Sequence, residues 1–181
     1  GRASAYRFVR RAVVHPDYVY TGKVSSGRVR NDVALLELQS PIRNTTVIPF
    51  ETAARPAKGD KVGIVSYAQN RSEAPSLQEV CAVLGRQEGV LIMSCNVDFG
   101  SSGAPVFTFA QNKPRIVSVV SAKAEVHGDQ VSLGTDLYQP LKTLRAELAA
   151  GKGFYQAPSP RVNRIVIGEA RRNTGAKFVR P

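Results

Sequence analysis

Short runs of β-forming residues, broken at close intervals by turn residues, dominate the first 135 positions. Val9 to Val14, Val33 to Leu38, Lys61 to Tyr67, Val80 to Leu84, Val90 to Met93, Val106 to Phe109, Arg115 to Ser121 and Gln130 to Leu133 are predicted to be strands. Pro16, Pro41, the stretch Pro56-Ala57-Lys58-Gly59-Asp60, Pro75, Asn112-Lys113-Pro114 and Gly128-Asp129 separate them. Many short strands with turn signals between them predict an all-β sandwich or barrel. One segment has a different period. Leu137, Leu141, Leu144 and Leu148 fall on one helical stripe, with Thr135 or Asp136 as the expected cap, Pro140 in the first turn and Gly151 as the stop. Beyond it, Pro158, Pro160 and sparse apolar residues predict a loosely attached extension over 153–181, in which Arg164 to Ile167 is the one strand candidate.

Charge adds a second pattern. The net charge is +11, yet positions 31–152 are neutral. Residues 1–30 carry seven basic groups against one acid, and residues 153–181 carry six against one. A nucleic-acid-binding domain spreads basic side chains over a folded face and carries a recognisable motif. Terminal placement instead predicts solvated arms that make loose contact with anionic surfaces. No apolar run approaches the length of a membrane-spanning helix.

Cys81 and Cys95 form no Cys-x-x-Cys pair and have no neighbouring His, so no metal site is expected. Each follows a strand-like run, and Gly85 to Gly89 supplies a turn between them, so a hairpin would bring the sulfurs together. A disulfide Cys81–Cys95 is therefore expected, and with it an extracytoplasmic location, periplasmic or secreted.

The candidate chemistry lies in Gly100-Ser101-Ser102-Gly103-Ala104-Pro105. A serine between glycines in a tight turn exposes its hydroxyl, and the glycines leave backbone N–H groups free to converge on one point. Acyl transfer needs that pairing of nucleophile and oxyanion donors. Chain order then discriminates among serine-hydrolase architectures. An α/β-hydrolase order fails, because no Asp lies between Ser102 and His127 and Pro105 precedes a strand instead of a helix. A subtilisin order fails, because no Asp precedes His15.

The order His, Asp, Ser stays open, and several motifs carry it. Asn31-Asp32-Val33-Ala34-Leu35-Leu36-Glu37-Leu38 resembles the triad-aspartate strand of trypsin- and chymotrypsin-like serine peptidases. His15-Pro16-Asp17-Tyr18 resembles their HPxY turn, and Cys95 to Pro105 resembles the nucleophile loop of bacterial members that end in GxSGxP. Ser118-Val119-Val120-Ser121-Ala122 resembles the strand along which substrate backbone lies. The resemblance, which runs from about residue 9 to 150, implies chymotrypsin-like antiparallel β-barrels with a C-terminal helix. Residues 1–60 would be the remaining part of a first barrel, and 61–152 a complete second barrel plus helix.

The same resemblance implies a serine endopeptidase acting on protein or peptide substrates, with no cofactor. Ser102 would be the nucleophile, the N–H groups of Gly100 and Ser102 the oxyanion hole, and Asp32 the group that orients the base. Asn96, Ser121, Ala122 and Lys123 would contact substrate, with Asn96 at the base of the specificity pocket and Lys123 near its rim. Ser101 stands where animal trypsins carry an Asp that pairs with a freed N-terminus, so that mode of activation is not expected. The base is the departure. His15 belongs to the HPxY turn and His127 to a loop after Ser102, so the catalytic His is expected on a segment outside this sequence, which would leave the chain inactive alone. The alternative is a protease-like binding module whose basic ends contact anionic partners.

Overall fold

The computed structural model describes residues 5–43, 45–67 and 73–155. Residues 156–181, including the strand candidate Arg164 to Ile167, lie outside that range.

Two β structures share the described chain. The first is a three-stranded antiparallel sheet in the order β2-β1-β9, formed by β1 (Val9–Val14), β2 (Ala34–Leu38) and β9 (Phe154–Tyr155). The second is a closed antiparallel barrel in the order β3-β4-β5-β8-β7-β6. Its strands are β3 (Lys61–Ser66), β4 (Ser76–Gln87), β5 (Val90–Met93), β6 (Pro105–Thr108), β7 (Arg115–Val126) and β8 (Asp129–Asp136). Helix α1 (Ser26–Asn31) precedes β2, and α2 (Tyr138–Ala149) follows β8. This is the chymotrypsin-like architecture the resemblance implied. Closure removes the free edges that an open sheet leaves for other chains to pair with.

The barrel is filled by one side of its strands, as the period of two requires. Val62, Ile64, Val83, Leu91, Met93, Val106, Val117 and Val120 meet there with both cysteines. Cys81 and Cys95 are bonded, their Cα atoms 4.9 Å apart, so the expected pairing is borne out. They tie the middle of β4 to the segment that leaves β5 for the Ser102 turn.

Several boundaries differ from the sequence reading, and register explains most of them. Strand β4 starts at Ser76 and runs through Gly85, where the pairing with β5 slips between Val83 and Gly85. The glycine that suggested a turn instead pairs with Ile92 beside a bulge at Leu84, and Glu88-Gly89 make the turn. Strands β7 and β8 are longer than expected because they form a continuous ladder out to Val126↔Asp129. Thr135 and Asp136, expected as helix caps, end β8 instead, and Leu137 is the N-cap without a side-chain hydrogen bond. Asp136 keeps part of the capping role: its Oδ1 accepts the Tyr138 N–H at 3.2 Å. Along α2 the leucine stripe faces inward, Leu144 being fully buried, and the helix packs on β1 and β2.

Helix α1 and strand β9 were not foreseen. Ser25 starts α1 by accepting the Arg28 N–H at 3.3 Å, and Val29 buries itself completely. Strand β9 is held by Arg11, whose guanidinium lies 5.5 Å from the Tyr155 ring centre while its Nε donates to Glu37 at 2.9 Å.

Candidate functional site

Asp32 closes α1 as its C-cap, its N–H bonded to the Val29 carbonyl at 3.2 Å. The barrel steadies this turn from below. Thr135 at the end of β8 is fully buried, and its hydroxyl donates to the carbonyls of Val29 at 2.7 Å and Asp32 at 3.3 Å. Asp32 is half-buried, two residues before β2 begins.

Its carboxylate meets the barrel through one side chain. Ser121 Oγ donates to Asp32 Oδ2 at 2.5 Å. Ser121 owes that aim to a β-bulge: β7 pairs Val120 with Gly134 and Ala122 with Leu133, leaving Ser121 as the extra residue. Val120 and Ser121 are both buried in succession, as the bulge permits. Asp32 Oδ1 has no partner among the described residues.

The Ser102 turn hangs on the same stretch of β7. Gly103 N–H donates to the Val120 carbonyl at 2.7 Å, and Val120 N–H donates to Ala104 at 2.9 Å. Ser102 is therefore linked to Asp32 through the neighbours Val120 and Ser121, although the two lie seventy residues apart in sequence. Ser102 itself is exposed.

The backbone amides of this turn divide into two groups. Phe99 N–H donates to Asp98 Oδ1 at 2.8 Å, and Ser101 N–H to the Asp98 carbonyl at 3.0 Å. Gly103 N–H is engaged by Val120, and Ala104 N–H by Ser101 at 3.0 Å. Gly100 and Ser102 are left, and their N–H groups have no acceptor among the described residues. The alternation comes from the chain path: Gly100 (φ 89°) and Gly103 (φ 79°) take left-handed conformations that bend the turn on either side of Ser102.

The side chain of Ser101 points the other way. It is buried, and its hydroxyl donates to Ser66 Oγ at 3.2 Å. Together with Ser66, Ser76, Gln78, Asn96 and Lys123 it lines a recess of about 330 Å3. Of the four residues expected to contact substrate, Asn96 and Lys123 lie on this recess, whereas Ser121 and Ala122 do not line it. Asn96 is exposed at its wall instead of buried at a pocket base. Lys123 is not a free cation: its Nζ lies 3.7 Å from Asp98 Oδ1 and 4.7 Å from the centre of the exposed Phe99 ring.

Both histidines lie outside this arrangement. His15 is buried in the turn after β1, its N–H bonded to the Val33 carbonyl at 3.3 Å and its Nδ1 accepting the Asp17 N–H at 3.3 Å. His127 is exposed at the β7–β8 turn with a left-handed backbone (φ 53°). Among the described residues no group of His, Cys, Asp and Glu side chains is placed to hold a metal ion.

A family-wide sequence profile, that of the trypsin-like peptidase domain, matches residues 2–114, more than half of the chain. The chain belongs to the trypsin-like peptidase family. Within this family the matched span takes in Asp32, Asn96, Gly100 and Ser102, and it ends just before β7 brings Ser121 onto Asp32. Among curated proteins, none matches the chain. A protease-type function follows from family membership. The sequence marked Thr135 only as a helix cap; its contacts with the Asp32 turn reach more than a hundred positions away and nothing local marks them.

Proposed function

We propose that this chain supplies the nucleophile, oxyanion donors and orienting carboxylate of a serine endopeptidase. The observation that carries the proposal is the pair of unengaged N–H groups at Gly100 and at Ser102 itself, in a turn tied to the strand that holds Asp32. Two donors left without partners, where every neighbouring amide is satisfied, form a preorganised cradle for a developing oxyanion.

In this reading Ser102 Oγ attacks a peptide carbonyl while an imidazole takes its proton. The carbonyl oxygen, now negative, is held by the Gly100 and Ser102 N–H groups. Collapse expels the amine, which takes the proton from the imidazolium, and water then hydrolyses the acyl-enzyme. Asp32 orients the imidazole through its unpartnered Oδ1, and Ser121 fixes the carboxylate by occupying Oδ2. The imidazole comes from a histidine outside this sequence, since His15 is engaged in its own turn and His127 is exposed in the turn between β7 and β8. Residues 1–60 then belong to a barrel completed by that segment, 61–152 form the second barrel with α2, and 153–181 a basic extension. The disulfide, in a chain with no helix among the described residues long and apolar enough to cross a membrane, supports an extracytoplasmic setting.

Labelling with a fluorophosphonate tests the reading. The protein joined to its histidine-bearing segment is expected to label at Ser102, the Ser102→Ala variant not at all, and this chain alone only slowly. Absence of labelling in the joined protein overturns it. The basic ends favour a second reading, a non-catalytic module binding anionic partners. That reading requires affinity that falls steeply with salt, as counterion release dictates.

A further inference from the structure

A second recess, of about 280 Å3, is lined by His15, Arg30, Arg55, Asp136, Gln139 and Thr143 among others. Its chemistry is unlike that of the recess beside Ser101, because cationic and N–H donors predominate and several are unused. His15 is only 7 % exposed, and its Nδ1 accepts the Asp17 N–H. A neutral imidazole that accepts at Nδ1 carries its proton on Nε2, which is therefore a donor, and it has no partner among the described residues. Arg55 spends a single N–H on Asp136, its Nε lying 3.2 Å from Oδ1 and 2.9 Å from Oδ2. The two amino groups of that guanidinium are left over. The Arg30 guanidinium takes part in no hydrogen bond or ion pair among the described residues.

The two acids on the recess leave these donors without partners. Asp136 is already engaged by Arg55, by the Tyr138 N–H and, at 3.9 Å, by Arg86. Asp17, also on the recess, is exposed. Two guanidinium groups, Arg30 and Arg55, thus line the recess with two carboxylates, and a buried imidazole N–H lies beside them.

We propose that this recess binds a single phosphate- or sulfate-like oxyanion, held by Arg30, the free arms of Arg55 and His15 Nε2–H. Guanidinium forks match the oxygens of such anions in paired hydrogen bonds, and burial of one donor makes its pairing worth more than a surface contact. The site is built into the Asp32 turn. His15 N–H holds Val33, and Asn31, another lining residue, donates from Nδ2 to the Asp17 carbonyl at 3.1 Å. A bound anion therefore braces the loop on which Asp32 sits, and it does so whether or not Ser102 is a nucleophile.

Titration of the whole chain with inorganic phosphate, at fixed pH and ionic strength with sodium chloride as the balancing salt, tests the proposal through the His15 imidazole resonances. A saturable shift with one anion per chain is expected. Arg30→Gln, at an exposed position, should weaken it about tenfold through loss of a charge-assisted hydrogen bond. Arg28→Gln removes an equal charge from a side chain engaged with Lys23 and Tyr20, and should leave it unchanged. Resonances that stay in place, an equal response to chloride, or equal weakening by both substitutions would overturn the site.

Discussion

Ser121 Oγ lies 2.5 Å from Asp32 Oδ2, joining a bulge in the barrel to the cap of a helix 89 positions earlier. The hydroxyl is on a residue only 8 % exposed, so the bond is shielded, and its acceptor is a carboxylate oxygen. Hydrogen bonds to charged groups contribute about 1.5–3 kcal/mol. Ser121→Ala is expected to lower the free energy of unfolding by an amount in that range, read from urea midpoints. Ser121→Thr, which keeps a hydroxyl in a strand, should recover most of it. Equal losses in the two variants would show that packing, not the bond, sets the cost.

The Cys81–Cys95 bridge spans a sequence separation of 14, for which loop closure in the unfolded chain predicts about 3 kcal/mol of stabilisation. Both residues are buried in the barrel core, 4 % and 0 % exposed, so a reductant reaches them only through opening of the barrel. Two outcomes are expected. Dithiothreitol alone should act slowly on the native protein, and the Cys81→Ala/Cys95→Ala variant should unfold at a markedly lower urea concentration. A reduced protein that keeps its midpoint would place the stabilisation elsewhere.

What the sequence disclosed, and what it hid, separates along the distance between interacting residues. Asp32, Gly100 and Ser102 stood out because the chemistry of the turn is local and the order of motifs is itself a constraint. The disulfide was legible because a hairpin joins two positions close in sequence. Ser121 was visible as a strand residue, but its bulge is a property of how β7 registers on β8, which no run of residues encodes. Thr135 looked like a helix cap on local grounds, and the ladders with β5 and β7 drew it into β8 instead. Helix α1 has six residues and one fully buried side chain, too little for a stripe to show. Strand β9 is two residues long and exists because β1 has an edge to offer.

Helix α2 owes its seat to one side chain more than to its stripe. Leu144 is fully buried, whereas Leu141 and Leu148 are half-buried. Leu144→Ala is expected to cost about 2–5 kcal/mol, the range for a cavity left by a core leucine. Leu148→Ala should cost much less. Comparable values from the two, by chemical denaturation, would contradict this seating of the helix.

Gly134 on β8 crosses β7 so closely that a methyl group there would overlap Ser118 Oγ, with the Val119 carbonyl at 3.1 Å and Met93 Cε at 3.2 Å. The methionine end can yield, but Ser118 cannot turn aside freely, because it is fully buried and donates to the Thr135 carbonyl at 2.8 Å. Gly134→Ala is therefore expected to destabilise by about 1–3 kcal/mol, the usual cost of overpacking. Removing the hydroxyl removes the clash, so Ser118→Ala should make the second substitution cheaper than it is alone. A double-mutant cycle reads this directly. The double variant should lose clearly less than the two single losses added together. Strict additivity would mean that the backbone carbonyl of Val119, which no side-chain change relieves, sets the limit on how close β7 and β8 approach.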